Sequence, residues 1–109
     1  MGVVLNETVA DAVLAELVEI LSDARARLAS DGNHFASSSW WKSARDALHE
    51  LDTLIAALRC GDRPRRLDLE VLFAPTGPIQ EVSASSGWGE AFLGLARRFD
   101  AAIGRAYGA

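Results

Sequence analysis

LFAPTGPIQEVSASSGW, residues 72–88, is the stretch that separates the clearly helical patterns of this sequence. It contains two of the three prolines and shows no long hydrophobic period, whereas convincing helical patterns lie before and after it. Connections in small domains typically run about 4–6 residues, so a pattern-free segment of this length is unusual. Because it carries Phe73, Ile79, Val82 and Trp88, which can be anchored in a core, we interpret it as an ordered loop.

Apolar residues recur with a helical period on both sides of this loop, as in amphipathic helices. The first helix is predicted from Asn6 or Thr8 to Ala29, and the second from Ser37, Ser38 or Ser39 to Arg59 or Cys60. A short third helix is predicted over residues 67–74, ended by Pro75, and a last helix from a Ser85 or Ser86 cap to Tyr107. The predicted fold is therefore all-α, with residues 1–109 forming one small bundle of three long helices and one short helix.

The composition limits the class of protein. Half of the 109 residues are hydrophobic and the net charge is −4, which disfavours a general nucleic-acid binder because such a protein needs a basic face. The single cysteine, Cys60, cannot form an internal disulfide, which favours a cytoplasmic protein. No stretch approaches the roughly 20 apolar residues of a membrane span, and the N-terminal sequence lacks the basic region of a signal peptide. Neither nucleic acid nor membrane is an expected partner.

Acidic residues dominate the polar side of the first helix. Asp11, Glu16, Glu19 and Asp23 lie away from its apolar stripe, and no lysine or arginine precedes Arg25. Such a face is either simply solvated or an acidic surface that meets a basic partner. In the second case its carboxylates would speed association and mimic phosphate.

Two of the three tryptophans are adjacent, at Trp40 and Trp41. On a helix they would point about 100° apart, so one can be buried while the other lies at the core edge or on a binding surface. We select Trp41 and Trp88 as the first candidates for partner anchors. Gly89, Gly94 and Gly104 lie within the predicted last helix, where they suggest close backbone approach to the loop or to another helix.

Three arginines, Arg63, Arg65 and Arg66, fall within four positions of the connector after the second helix. They would suit a phosphate or another anionic ligand. The alternative is that they are solvated or cap the carbonyl end of the preceding helix. The loop at residues 72–88 has a similar ambiguity, because it is either a structural plug or a recognition loop.

No pattern indicates catalysis, a metal site or a cofactor. His34, His49 and Cys60 are scattered rather than clustered as metal ligands are. The serines near residue 85 lack the spacing of a nucleophile elbow and are interpreted as helix caps. The residues therefore predict a protein that is not an enzyme.

Four short patterns resemble a small bacterial family of unknown function. They are LFAPTGPIQEVS, SGWG and FLxLAxxFD within residues 72–100, together with WW and ELDxL in the predicted second helix. Members of that family are short, soluble, single-domain proteins that resemble the immunity proteins accompanying polymorphic toxins. The resemblance implies a non-catalytic protein whose partner is a toxin domain. The first helix lies outside it, and no catalytic residue is carried over.

The leading hypothesis is therefore an immunity protein or antitoxin that neutralises a bacterial toxin by direct binding. One alternative is a domain that binds a small anionic ligand, or acts on one, through Arg63, Arg65 and Arg66. Another is a structural homodimer formed through the tryptophan-bearing face, so both a monomer and a homodimer remain open.

Overall fold

The computed structural model describes the backbone of residues 2–35 and 38–108, with side chains from residue 12 onward within those ranges. Five helices follow one another in this part of the chain, which contains no strand. They are α1 (Gly2–Ala29), α2 (Ala44–Arg59), α3 (Arg66–Phe73), α4 (Pro78–Ser86) and α5 (Gly89–Tyr107). The all-α prediction is confirmed, with one more short helix than the sequence indicated.

The three longer helices bury the apolar stripes that their sequences predict. α1 packs against α2 and α5, and the short pair α3 and α4 packs against α5. Leu17 of α1, Leu51 of α2 and Phe99 of α5 are almost completely buried in this common core. The ring of Phe99 stacks on Phe73 of α3, with centroids 4.4 Å apart and planes within 14°. This stacked pair joins the short helices to the longer ones.

The interpretation of residues 72–88 as a loop is wrong, because helix α4 occupies its middle. Pro78 takes the first helical position, where its missing N–H costs nothing. Ile79 and Val82 lie one turn apart and are fully buried. Gly87 ends the helix in the left-handed conformation, with φ of 85°. The helix has only nine residues, too few for its period to be evident in the sequence.

The second helix begins at Ala44, later than predicted, so the two adjacent tryptophans precede it. The backbone N–H groups of Trp40 and Trp41 both donate to Ser38 Oγ at 3.1 Å. Such a local side-chain acceptor competes with helix formation. Of the three serines predicted as caps, Ser38 and Ser39 therefore lie in the non-helical connection before α2, and Ser37 lies outside the described residues.

Two other predicted helix starts differ from the structure. α1 begins at Gly2, ahead of Asn6 and Thr8. α5 begins at Gly89 after Trp88, without a serine cap, because the candidate serines form other hydrogen bonds. Ser85 Oγ donates to Glu81 O within α4 at 2.9 Å, and Ser86 Oγ accepts from His34 N at 2.9 Å.

The predicted close approach at the glycines of the last helix is also wrong. A Cβ atom added at Gly89, Gly94 or Gly104 would have no neighbour within 4 Å. The glycine that permits a close approach is Gly77, where a Cβ would lie 2.2 Å from the carbonyl oxygen of Val71. The tight backbone contact of this fold is therefore the α3–α4 junction.

Candidate functional site

Two of the acidic residues of α1 form ion pairs with α5. Glu16 accepts from Arg105, and Asp23 Oδ2 accepts from Arg98 Nη1 at 2.8 Å. Glu19 is exposed, and the side chain of Asp11 lies outside the described residues. Two of the four acidic residues therefore form intramolecular ion pairs that link α1 to α5. The sequence did not reveal these two pairings, and an acidic surface of Asp11, Glu16, Glu19 and Asp23 that meets a basic partner stays a prediction.

The arginine connector binds the C-terminal end of α5. Arg63 donates to the carbonyl oxygen of Ala106, and Arg66 Nη1 donates to the carbonyl oxygen of Gly108 at 2.7 Å. The last carbonyls of a helix have no partner within the helix, so these arginines satisfy them and complement the helix dipole. The sequence suggested a cap on the preceding helix, whereas Arg63 and Arg66 cap the last one.

Arg65 and Arg66 also form ion pairs with carboxylates of α3. Arg65 makes two hydrogen bonds to Asp68, at 2.9 and 3.2 Å. The hydrogen bond to this carboxylate and its negative charge raise the pKa of Arg65. Arg66 Nε lies 3.3 Å from Glu70 Oε2. All three arginines therefore have internal partners.

Tyr107 completes this C-terminal contact. Its hydroxyl donates to the carbonyl oxygen of Pro64, and the guanidinium of Arg63 lies 5.7 Å from the centre of its ring. Burial raises the pKa of Tyr107, and the positive charge of Arg63 opposes that shift in part. The folded protein therefore favours the neutral phenol.

We expect this pKa shift to make folding stability fall at high pH. The contribution of the neutral phenol to folding stability is fully present below the pKa of the tyrosine in the unfolded chain, which is near 10.0. It is lost as the pH rises through the higher folded-state pKa. Urea unfolding at about pH 9 and about pH 11 should show this loss in the wild type and a smaller loss in Tyr107→Phe. Because Tyr107 is the only tyrosine, phenolate absorbance reports its ionisation, and an unshifted pKa in the folded protein would contradict the expectation.

Trp88 is a structural residue rather than a free anchor. Its ring is half-buried against the core, and its Nε1–H donates to Asn33 Oδ1 at 2.7 Å. This bond ties the turn after α1 to the start of α5. Trp41 is only 3% exposed and belongs to the core. Both tryptophans selected from the sequence therefore lie inward, and the exposed one is Trp40.

Three large apolar side chains are exposed among the described residues: Trp40 (53%), Leu67 (62%) and Leu93 (51%). Two of them line one groove of about 730 Å³ between residues 40–41, α2 and α3. We call it the tryptophan groove. Its apolar lining consists of Trp40, Trp41, Leu54, Leu67 and Val71. The sequence marked only the tryptophan pair. Leu67 carried a weaker signal, because it lies off the buried Leu69–Leu72–Phe73 face of α3.

The polar part of the groove is acidic. Its polar lining residues are Asp46, His49, Glu50, Thr53 and Asp68, with no lysine or arginine among them. Because Asp68 is paired with Arg65, Asp46 and Glu50 supply the negative charge of the groove. Glu50 Oε1 accepts from Trp41 Nε1 at 3.4 Å, and Asp46 Oδ2 accepts from Lys42 N at 3.2 Å. These bonds hold both carboxyl groups beside the apolar lining.

The exposed ring of Trp40 is presented by a tethered segment. The neighbouring Ser39 donates twice to the carboxylate of Glu81 on α4, from its backbone N at 3.1 Å and from Oγ at 3.2 Å. Together with Ser38, these contacts fix the backbone on which Trp40 stands. An anchor held in place before binding loses less conformational entropy on association.

Within the described residues, no three His, Cys, Asp or Glu side chains come together as a metal ion would require. None of the helices in that part of the chain combines the length and apolarity needed to cross a bilayer. The chain matches no family model, no curated protein and no solved structure. A functional proposal therefore depends on the chemistry of the site itself.

Proposed function

We propose that this protein is a non-catalytic binding module that neutralises a bacterial toxin by direct contact, as immunity proteins do. The observation that carries the proposal is the tryptophan groove, whose lining includes the exposed side chains of Trp40 and Leu67 together with fixed carboxylates. Apolar side chains exposed in a polar rim are typical of protein-binding surfaces.

The chemistry of Trp40 suits a protein partner. Tryptophan is among the residues most often found as energetic hot spots, because it offers a large rigid surface with one polar group. Trp40 is half exposed, whereas its neighbour Trp41 is buried and supports the same groove from beneath. A partner side chain placed on Trp40 would therefore contact a surface that is already packed.

The anionic-ligand alternative has less support. Each arginine of its proposed site already contacts an internal carboxylate or carbonyl group: Arg63 with Ala106, Arg65 with Asp68, and Arg66 with Glu70 and Gly108. A bound anion would have to replace those contacts. The groove, by contrast, needs no rearrangement to accept a partner.

The proposal is tested by affinity purification of the tagged protein from its native host, followed by an activity assay of the co-purifying protein. We expect one stoichiometric partner whose toxin activity is lost at a one-to-one ratio. Trp40→Ala and Leu67→Ala should each weaken binding by about tenfold or more, as hot-spot truncations do.

Leu93→Ala is the matched control, because Leu93 is similarly exposed but lies on α5, outside the tryptophan groove. It should leave the affinity unchanged. Failure to find any partner, or a partner whose activity the protein does not inhibit, would contradict the proposed function.

A further inference from the structure

We infer that the tryptophan groove accepts a basic amphipathic helical segment of the partner protein. An apolar side chain of that segment packs between Trp40 and Leu67, and its lysine or arginine side chains meet Asp46 and Glu50. The inference rests on the proposed function and adds the chemistry of the partner.

The apolar part of this inference follows from where the exposed side chains stand. Trp40 belongs to the connection before α2, and Leu67 belongs to the first turn of α3. The groove therefore has an apolar group on each of two separate elements. An apolar side chain entering between them is covered from both elements, which removes more surface from water than contact with one element alone.

The charged part follows from the spacing of the acids. Asp46 and Glu50 are four residues apart on α2, so they lie on one face with their Cβ atoms about 5–6 Å apart. Two basic residues at the same spacing on a partner helix would match them. Without such partners, binding would remove two carboxylates from water and leave them uncompensated, which is costly.

The same charges disfavour other occupants. A second copy of this chain would place like-charged carboxylates against one another across a two-fold interface. An anionic lipid surface or a nucleic acid would be repelled in the same way. A basic protein segment is the occupant whose charge is complementary to the groove.

The test uses a synthetic helical peptide of leucine and lysine in an amphipathic order, titrated into the full-length protein. The three tryptophan indole N–H signals are followed by NMR. We expect the indole signal of Trp40 to shift with saturation and the affinity to fall with added salt. A leucine–glutamate peptide of the same order and a leucine–lysine peptide of scrambled order should bind at least about tenfold more weakly.

Charge-neutral variants separate the acidic part from the apolar part. Asp46→Asn combined with Glu50→Gln keeps the oxygen acceptors for Lys42 N and Trp41 Nε1. It should lower the affinity for the lysine peptide about tenfold and reduce its salt dependence. Glu19→Gln, which removes one exposed charge from α1, is the matched control and should change neither.

The inference is overturned if the glutamate peptide binds as well as the lysine peptide, or if the double variant binds unchanged. It is also overturned if Trp40 shifts with protein concentration alone and light scattering reports a dimer, because the occupant is then a second copy. A toxin partner that binds the double variant with wild-type affinity would refute the inference and leave the proposed function intact. The absence of any toxin partner would refute the proposed function instead.

Discussion

Replacing Gly77 with alanine should destabilise the protein by about 3 kcal/mol or more, at the upper end of the usual cost of overpacking. The added Cβ would lie 2.2 Å from Val71 O and 3.2 Å from Ala74 O. Both are backbone atoms at the end of α3, so no rotamer change relieves the clash. Relief requires α3 and α4 to separate, which also breaks the 2.9 Å hydrogen bond from Gly77 N to Ala74 O.

The matched control is Gly104→Ala in α5, where an added Cβ meets nothing within 4 Å. Alanine is preferred to glycine inside a helix by up to about 1 kcal/mol, so this variant should be as stable as the wild type or more stable. Urea unfolding followed by circular dichroism measures both free energies. Equal stability of the two variants would contradict the tight α3–α4 junction.

Trp41→Ala should cost about 3–5 kcal/mol of folding stability, the range for truncating a buried large aromatic residue. Its side chain is 3% exposed and fills the core beside α2. Trp40→Ala removes the same side chain from a position that is 53% exposed, so its stability should stay within about 0.5 kcal/mol of the wild type.

Comparing these two variants by urea unfolding tests which member of the pair is structural. Trp41→Phe is a useful third variant, because it keeps an aromatic ring and loses the long hydrogen bond to Glu50. Its stability should fall between those of the wild type and Trp41→Ala. If Trp40→Ala were the more damaging change, the assignment of Trp40 to the surface would be incorrect.

The longer helices could be predicted because their apolar residues repeat over several turns. Leu17, Leu51 and Phe99 belong to such repeating apolar positions and are buried in the structure. Such repetition is a strong signal, since each further turn adds an independent observation of the same face. The start of α2 differs from the predicted one because Ser38 Oγ accepts from the backbone N–H groups of both tryptophans and holds them in a non-helical segment.

Helix α4 gives no periodic signal in the sequence, for a physical reason that is specific to short helices. The whole helix covers little more than two turns, and its inward apolar residues Ile79 and Val82 are one turn apart. The serines at positions 83, 85 and 86 further obscure the pattern. The end signals were nevertheless present, with proline at the first position and glycine just after the last. In short segments these end signals carry more information than periodicity.

The candidate site depended on contacts that sequence spacing does not reveal. Asp23 and its partner Arg98 are 75 positions apart, so the acidic face of α1 looked uncompensated in the sequence. Trp40 and Leu67 likewise line one groove because the fold brings the connection before α2 close to α3. The charge balance and the exposure of a site depend on tertiary contacts. The sequence therefore identifies candidate residue types more readily than their roles.

The most direct test of the central claim is an NMR titration of the isotope-labelled protein with its purified toxin partner. We expect the Trp40 indole signal and the backbone signals around Leu67 and Glu50 to change on binding, while those around Leu93 do not. Changes centred on Leu93, or on the face formed by α1 and α5, with the Trp40 signal unmoved, would contradict the tryptophan groove as the binding site.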